Sequence, residues 1–151
     1  MSSTTPNAER GYTITRVFDA PRELVWDAWT DPAQFAQWFG GDQARMEDMK
    51  MDVRPEGKWS GTMVLPGGAT IDWRGWFIEL ARPERLAMAF SDRDIIGDQY
   101  DTFTVTLTDL GGKTEMVLRQ HGGNLTDDQY EQAKEGTASF LDTMAELLAR
   151  R

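Results

Sequence analysis

Few residues in this sequence have a type and spacing suited to chemistry, and Arg16 is the first to weigh. It shares a strand parity with Ile14 and Phe18, so it is placed to face inward with them. A guanidinium in an apolar site demands a partner, because an unpaired buried charge is costly. One reading makes Arg16 a bidentate handle for a ligand carboxylate. The other gives it an internal salt bridge, for instance to Glu79, or lets it snorkel to solvent. His121, the single histidine, invites a general-base role. It stands beside Gly122-Gly123, on the strand face of Glu115 and Arg119, a position that suits an exposed loop-edge histidine equally. Asp92 and Asp94, with Asp98 and Asp101, raise the question of a hard cation. They lack calcium-loop spacing with its terminal glutamate, and a solvated acidic loop accounts for them.

Other chemistries lack their residues. The chain holds no G-x-S-x-G, P-loop or dinucleotide fingerprint. With no cysteine there is no disulfide, no thiol catalysis and no cysteine metal site. One histidine leaves zinc without its usual ligands. No catalytic residue, metal or cofactor is therefore assigned. The 25 acids outnumber the 16 bases, for a net charge of −9. Such a chain repels phosphate backbones and anionic lipid heads, so neither nucleic acid nor a membrane is an expected partner. No apolar run approaches the ~20 residues that span a bilayer. Met1 to Asn7 lacks the basic and apolar regions of a secretory signal, so the cytoplasm is the expected compartment.

The elements that would position these residues follow from the apolar pattern. Length and composition fit one domain at 12–151 behind a disordered tail at 1–11. Tyr12 to Asp19 alternates and is rich in β-branched residues, which predicts a strand. Pro21 opens a short helix carrying Leu24, Val25, Ala28 and Trp29 at helical spacing. Asp31-Pro32 opens another, with Phe35, Trp38 and Phe39 on its face and Gly40-Gly41 at its end. Met49, Met51 and Val53 predict the second strand. Trp59, Gly61, Met63 and Leu65 predict the third, and Pro66-Gly67-Gly68 turns the chain. In the next strand Ile71, Trp73 and Phe77 share one parity, Trp76, Ile78 and Leu80 the other, so a bulge or bend is expected near Gly75. Leu86, Met88 and Phe90 form another inward face. Ser91 to Asp98 reads as a loop, and strands carrying Phe103, Val105, Leu107 and then Met116, Leu118, Gln120 follow. Thr126-Asp127-Asp128-Gln129 is a capping box for a helix of roughly six turns. Tyr130, Ala133, Thr137, Phe140, Leu141, Met144, Leu147 and Leu148 form its apolar face.

The segment Ile14-Thr15-Arg16-Val17-Phe18-Asp19-Ala20-Pro21-Arg22-Glu23-Leu24-Val25-Trp26-Asp27-Ala28-Trp29-Thr30-Asp31-Pro32 resembles the opening of the START-like (SRPBCC) superfamily, in its activator of Hsp90 ATPase homologue branch. Trp38, Arg54-Pro55-Glu56-Gly57, Gly75 with Glu79, Pro83-Glu84-Arg85-Leu86, Thr114 and Leu141-Asp142-x-Met144-Ala145-x-Leu147-Leu148 agree in order, so the likeness spans about residues 12–149. It implies an α+β helix-grip fold, like that of birch-pollen-allergen domains: a seven-stranded antiparallel sheet wrapped around a long C-terminal helix, with two short helices after the first strand. It also implies a tryptophan early in the last helix, where this chain has Gly136-Thr137, which is expected to enlarge the cavity. The family's histidine near the end of the last strand is here Gln120. Chaperone-activating members carry an additional N-terminal domain; none is read here, so chaperone activation is not expected.

Together these readings predict a cavity between sheet and C-terminal helix that holds a hydrophobic or amphipathic small molecule. Its expected lining is Arg16, Trp38, Trp59, Met63, Trp73, Phe77, Phe90, Phe103, Gln120, Thr137, Phe140 and Met144. Six tryptophans and eight methionines fit either a filled core or a wall able to repack around ligands. An enzyme of cyclase or hydrolase type using the same cavity is the first alternative, without an acid–base pair to name. A protein-interaction module working through Trp26 and Trp76 is the second. Either a monomer or a homodimer is compatible with the sequence.

Overall fold

The computed structural model describes residues 10–150; most of the expected tail, residues 1–9, lies outside that range. The chain runs β1 (Gly11–Phe18), α1 (Arg22–Thr30), α2 (Pro32–Trp38), β2 (Arg45–Met51), β3 (Lys58–Val64), β4 (Thr70–Ala81), β5 (Arg85–Ser91), β6 (Asp101–Asp109), β7 (Thr114–His121) and α3 (Asp127–Ala149). The strands form one sheet in the order β1-β7-β6-β5-β4-β3-β2, and every neighbouring pair is antiparallel. This is the helix-grip α+β architecture that the family resemblance implies.

Local chemistry fixes the helix starts. The Asp31 carboxylate accepts from the Ala33 amide at 3.0 Å, with Pro32 in the first helical position where no N–H is missed. At α3 the capping box closes both ways. The Gln129 amide donates to Thr126 Oγ1 at 3.1 Å, and the Thr126 amide donates to Gln129 Oε1 at 2.8 Å. The apolar stripe of α3 then buries Tyr130, Thr137, Leu141, Met144, Leu147 and Leu148.

Two strands depart from expectation. β2 starts at Arg45 and ends before Val53, which is exposed. Its pairing with β3 shifts between Glu47 and Lys50, and Asp48 takes φ 56, so strict alternation fails where the sequence was read. In β4 the irregularity falls between Phe77 and Glu79, not at Gly75. Ile78 is the extra residue; it turns outward and lets both Phe77 and Leu80 reach the core. Gly75 meets a different need. It lies opposite Trp59 on one side and Phe90 on the other. A Cβ there would overlap the Ala89 carbonyl oxygen and sit 2.7 Å from Trp59 Nε1. That indole nitrogen donates to the same carbonyl at 2.9 Å.

Aromatic side chains join the short helices to the sheet. Trp29 packs on Trp38 and Phe103 at 4.8 and 6.0 Å between ring centroids. Phe35 stacks on Phe39 at 4.6 Å and meets Trp59 edge-on at 5.7 Å. Trp38 Nε1 donates to the Ala28 carbonyl at 2.7 Å, which ties α2 back to α1.

Gly75→Ala is expected to destabilise the fold by about 1–3 kcal/mol, because backbone rather than a flexible side-chain end occupies the new methyl's place. Urea unfolding of the two proteins measures it. A loss below ~0.5 kcal/mol would mean that β4 and β5 separate more easily than this packing requires.

Candidate functional site

Gln129, Ala133, Gly136, Thr137 and Phe140 fall on one face of α3, and that face looks onto open space rather than onto packed sheet. The space is a cleft of about 610 Å³. Its opposite wall comes from Trp73 on β4, Phe90 on β5 and Phe103 on β6, with Phe39 closing the end toward α2. Phe90 and Phe103 stack at 4.2 Å between centroids, and Trp73 leans on Phe90 at 5.9 Å. The connection between β5 and β6 forms the mouth, through Asp92, Arg93, Gln99 and Tyr100. Such a volume suits a small organic molecule.

Part of the cleft's lining is polar. Asp101 opens β6 and is only 6% exposed. Its Oδ2 accepts from Gln120 Nε2 at 2.8 Å; its Oδ1 accepts from Asn124 Nδ2 at 2.9 Å and from the Tyr130 hydroxyl at 3.2 Å. Tyr130 in turn accepts from the Gly123 amide at 2.8 Å. Burial, then the Asp101 charge, holds the Tyr130 phenol above its ordinary pKa, so it stays a neutral donor. On α3, Thr137 Oγ1 accepts from the Tyr12 hydroxyl at 2.7 Å, and burial raises the Tyr12 pKa strongly too. Gly122, at φ 146, passes beside the carboxylate; a Cβ there would overlap Asp101 Oδ1.

The structure brings together half of the expected lining: Trp73, Phe90, Phe103, Gln120, Thr137 and Phe140. Trp38, Trp59, Met63, Phe77 and Met144 are buried within the core instead, because α2 and the C-terminal half of α3 cover their part of the concave face. Arg16 also stands apart from the cleft. Its Nη1 pairs with Asp142 at 2.7 Å and its Nη2 reaches the Ala138 carbonyl at 3.3 Å, so it fastens β1 to α3. Glu79, the partner considered from sequence, pairs with Arg85 at 2.9 Å. Trp26 is buried and offers no outer surface, whereas Trp76 is half-buried and meets Tyr100 edge-on at 4.8 Å.

Asp101 is the residue that sequence reasoning placed wrongly, grouping it with a solvated acidic loop. The signal was present: Asp101 shares its strand parity with Phe103, Val105 and Leu107, all of them buried. The other acids of that group do behave as surface groups. Asp92 pairs with Arg93 at 3.0 Å, and Asp94 pairs with Arg74. Among the described residues no three His, Cys, Asp or Glu side chains converge as metal ligands.

His121 lies on the other face of β7 from Gln120, with Nε2 2.9 Å from Thr104 Oγ1. Burial, then the Arg119 charge, lowers its pKa. A lowered histidine pKa means the unfolded chain binds the proton more readily. Stability is therefore expected to fall as pH drops below the ordinary histidine value of about 6.5. His121→Gln should lose that component, flattening stability between about pH 7 and 5, where histidine alone among the side chains ordinarily titrates. Urea midpoints against pH for both proteins decide it, and identical slopes would refute it.

The fold has counterparts among known proteins. A protein from Chromobacterium violaceum is 24% identical with a TM-score of 0.80, over 91% of this chain and 96% of that one. One from Nitrosomonas europaea is 22% identical with a TM-score of 0.79, over 92% and 94%. The AHSA1 protein from Silicibacter pomeroyi is 21% identical with a TM-score of 0.76, over 91% and 96%. At these identities the likeness speaks for the fold. Comparison with curated proteins finds no match. The family model described as activator of Hsp90 ATPase homolog 1-like protein matches residues 19–149. With its sheet gripping α3 and that match covering most of its length, the chain belongs to the activator of Hsp90 ATPase homolog 1-like family, in the START-like superfamily.

Proposed function

We propose that this protein is a binding module that holds a small, largely apolar molecule between the N-terminal half of α3 and the concave sheet. The observation that carries the reading is the size and make-up of the cleft: about 610 Å³, walled by Phe39, Trp73, Phe90, Phe103 and Phe140. A core in this position would have been closed by larger side chains on α3, where the chain has Ala133, Gly136 and Thr137. Polar groups in the lining orient the molecule, as in most small-molecule sites. Trp73 Nε1, buried without a hydrogen-bond partner among the described residues, adds a donor on the apolar wall.

Filling the cleft tests the reading, and Gly136 is the place to do it. Thr137 is compromised by its hydrogen bond with Tyr12, whose hydroxyl would be stranded by a substitution. A Cβ at Gly136 meets nothing within 4 Å. Gly136→Leu therefore projects a side chain into the cleft without evicting anything. It also removes a helix-interior glycine, a gain of roughly 0.5–1 kcal/mol. The expected result is an unchanged or higher melting temperature together with at least a ~10-fold loss of affinity for naphthylethanol by titration calorimetry. Gly136→Ala serves as control, gaining stability while keeping affinity. Equal affinity of the leucine variant and the parent would overturn the reading.

A further inference from the structure

We infer that the cleft selects a molecule with a cationic head, a protonated or quaternary amine, over neutral and anionic molecules of the same shape. This rests on the binding reading above and names the class of ligand. Asp101 is a buried carboxylate whose partners, Gln120, Asn124 and Tyr130, are all neutral donors. Among the described residues it has no salt bridge, whereas Asp92 and Arg93 at the mouth neutralise each other. The carboxylate therefore brings an uncompensated negative charge to the cleft. Its two oxygens offer about four acceptor sites. Oδ1 receives two donors and Oδ2 receives one, which leaves Oδ2 a free lone pair.

Gln120 provides the second, independent observation. It lines the cleft and is 4% exposed. Asp101 is acceptor-only, so it fixes the Gln120 amide with nitrogen toward the carboxylate. The amide oxygen consequently has no partner among the described residues. Asp101 and Gln120, joined by that bond, both line the cleft, and each retains acceptor capacity for a hydrogen-bond donor. The Arg16 guanidinium, the cation that would have favoured a carboxylate ligand, is spent on Asp142. The lining also holds three aromatic rings, Phe90 stacked on Phe103 with Trp73 beside them. Aromatic faces attract cations, and more strongly when water is excluded.

Three naphthalene probes of one shape test this by titration calorimetry at neutral pH: naphthylethylamine, naphthylethanol and naphthylacetate. The expected order is amine, then alcohol, then acid, with the amine at least ~10-fold tighter than the alcohol, the scale of one hydrogen bond to a charged group. Asp101→Asn should bring the amine down to the affinity that the parent shows for the alcohol; a melting curve confirms that the variant is folded. If that variant does not fold, the ranking on the parent protein decides alone. Alcohol and amine binding equally, or the acid binding best, would overturn the inference and leave the binding reading standing. Binding of none of the three would overturn both.

Discussion

The structure depends on an aromatic wedge driven between the short helices and the sheet. Trp29, Phe35, Trp38 and Phe39 meet one another at centroid distances from 4.6 to 6.3 Å. They continue into Trp59, Trp73 and Phe103 on the strands. Each such pair adds about 0.5–1.5 kcal/mol beyond its area. The wedge has polar costs, since Trp29 Nε1 and Gln34 Oε1 are buried without partners among the described residues. What it secures is the position of α2, and with it the extent of the concave face left over for α3 to cover.

α3 is too long and too unequal along its length to fill that remainder. Its C-terminal half carries Leu141, Met144, Leu147 and Leu148, all buried. Its N-terminal half presents Gln129, Ala133, Gly136 and Thr137 to the cleft. A half-helix facing a void gains little from burial, so other forces must hold it. The capping box fixes its first turn, Tyr130 reaches Gly123 and Asp101, and Tyr12 bonds Thr137. Arg16 pins its middle through Asp142. The charge that looked like a ligand handle in the sequence is instead a tie between β1 and α3, away from the cleft.

This division explains what the sequence could tell. Period-two alternation marked β1, β3, β6 and β7, and the capping box marked α3, because each of those signals is local. The order of elements suggested a sheet wrapped around the last helix, and the family resemblance supplied the helix-grip arrangement. Which inward residues would be core and which would line a cavity was not legible. Trp59 and Trp73 have the same type and the same inward face, and only the position of the wedge separates them. Arg16 was ambiguous for a similar reason: Asp142 lies far along the chain and on another element. Asp101 was legible by parity alone, yet its acidic neighbours at Asp92, Asp94 and Asp98 pulled the reading toward solvent. Gly75 and the Ile78 bulge show the limit of face counting: the reversal of parity was marked in the pattern, but the residue at which it falls was not.

The polar part of the cleft's lining is where the fold accepts a cost that packing does not explain. Hydrogen bonding from three neutral donors makes the Asp101 carboxylate tolerable, and those donors do need an acceptor-only group opposite them. Yet a set of well-packed apolar residues at 101, 120 and 124 would satisfy the interior with no buried charge, and such replacements are commonly neutral or stabilising. A purely structural network would also have used the remaining acceptor of Gln120 inside the protein. Here Gln120 and Asp101 both line the cleft, together with Trp73, Phe90 and Phe103. The glycines at 122 and 123 let the backbone turn hard against the carboxylate, so the loop is shaped around the charge rather than the charge being an accident of the loop. An arrangement that sets open acceptors beside aromatic walls is organised for a donor that arrives from outside.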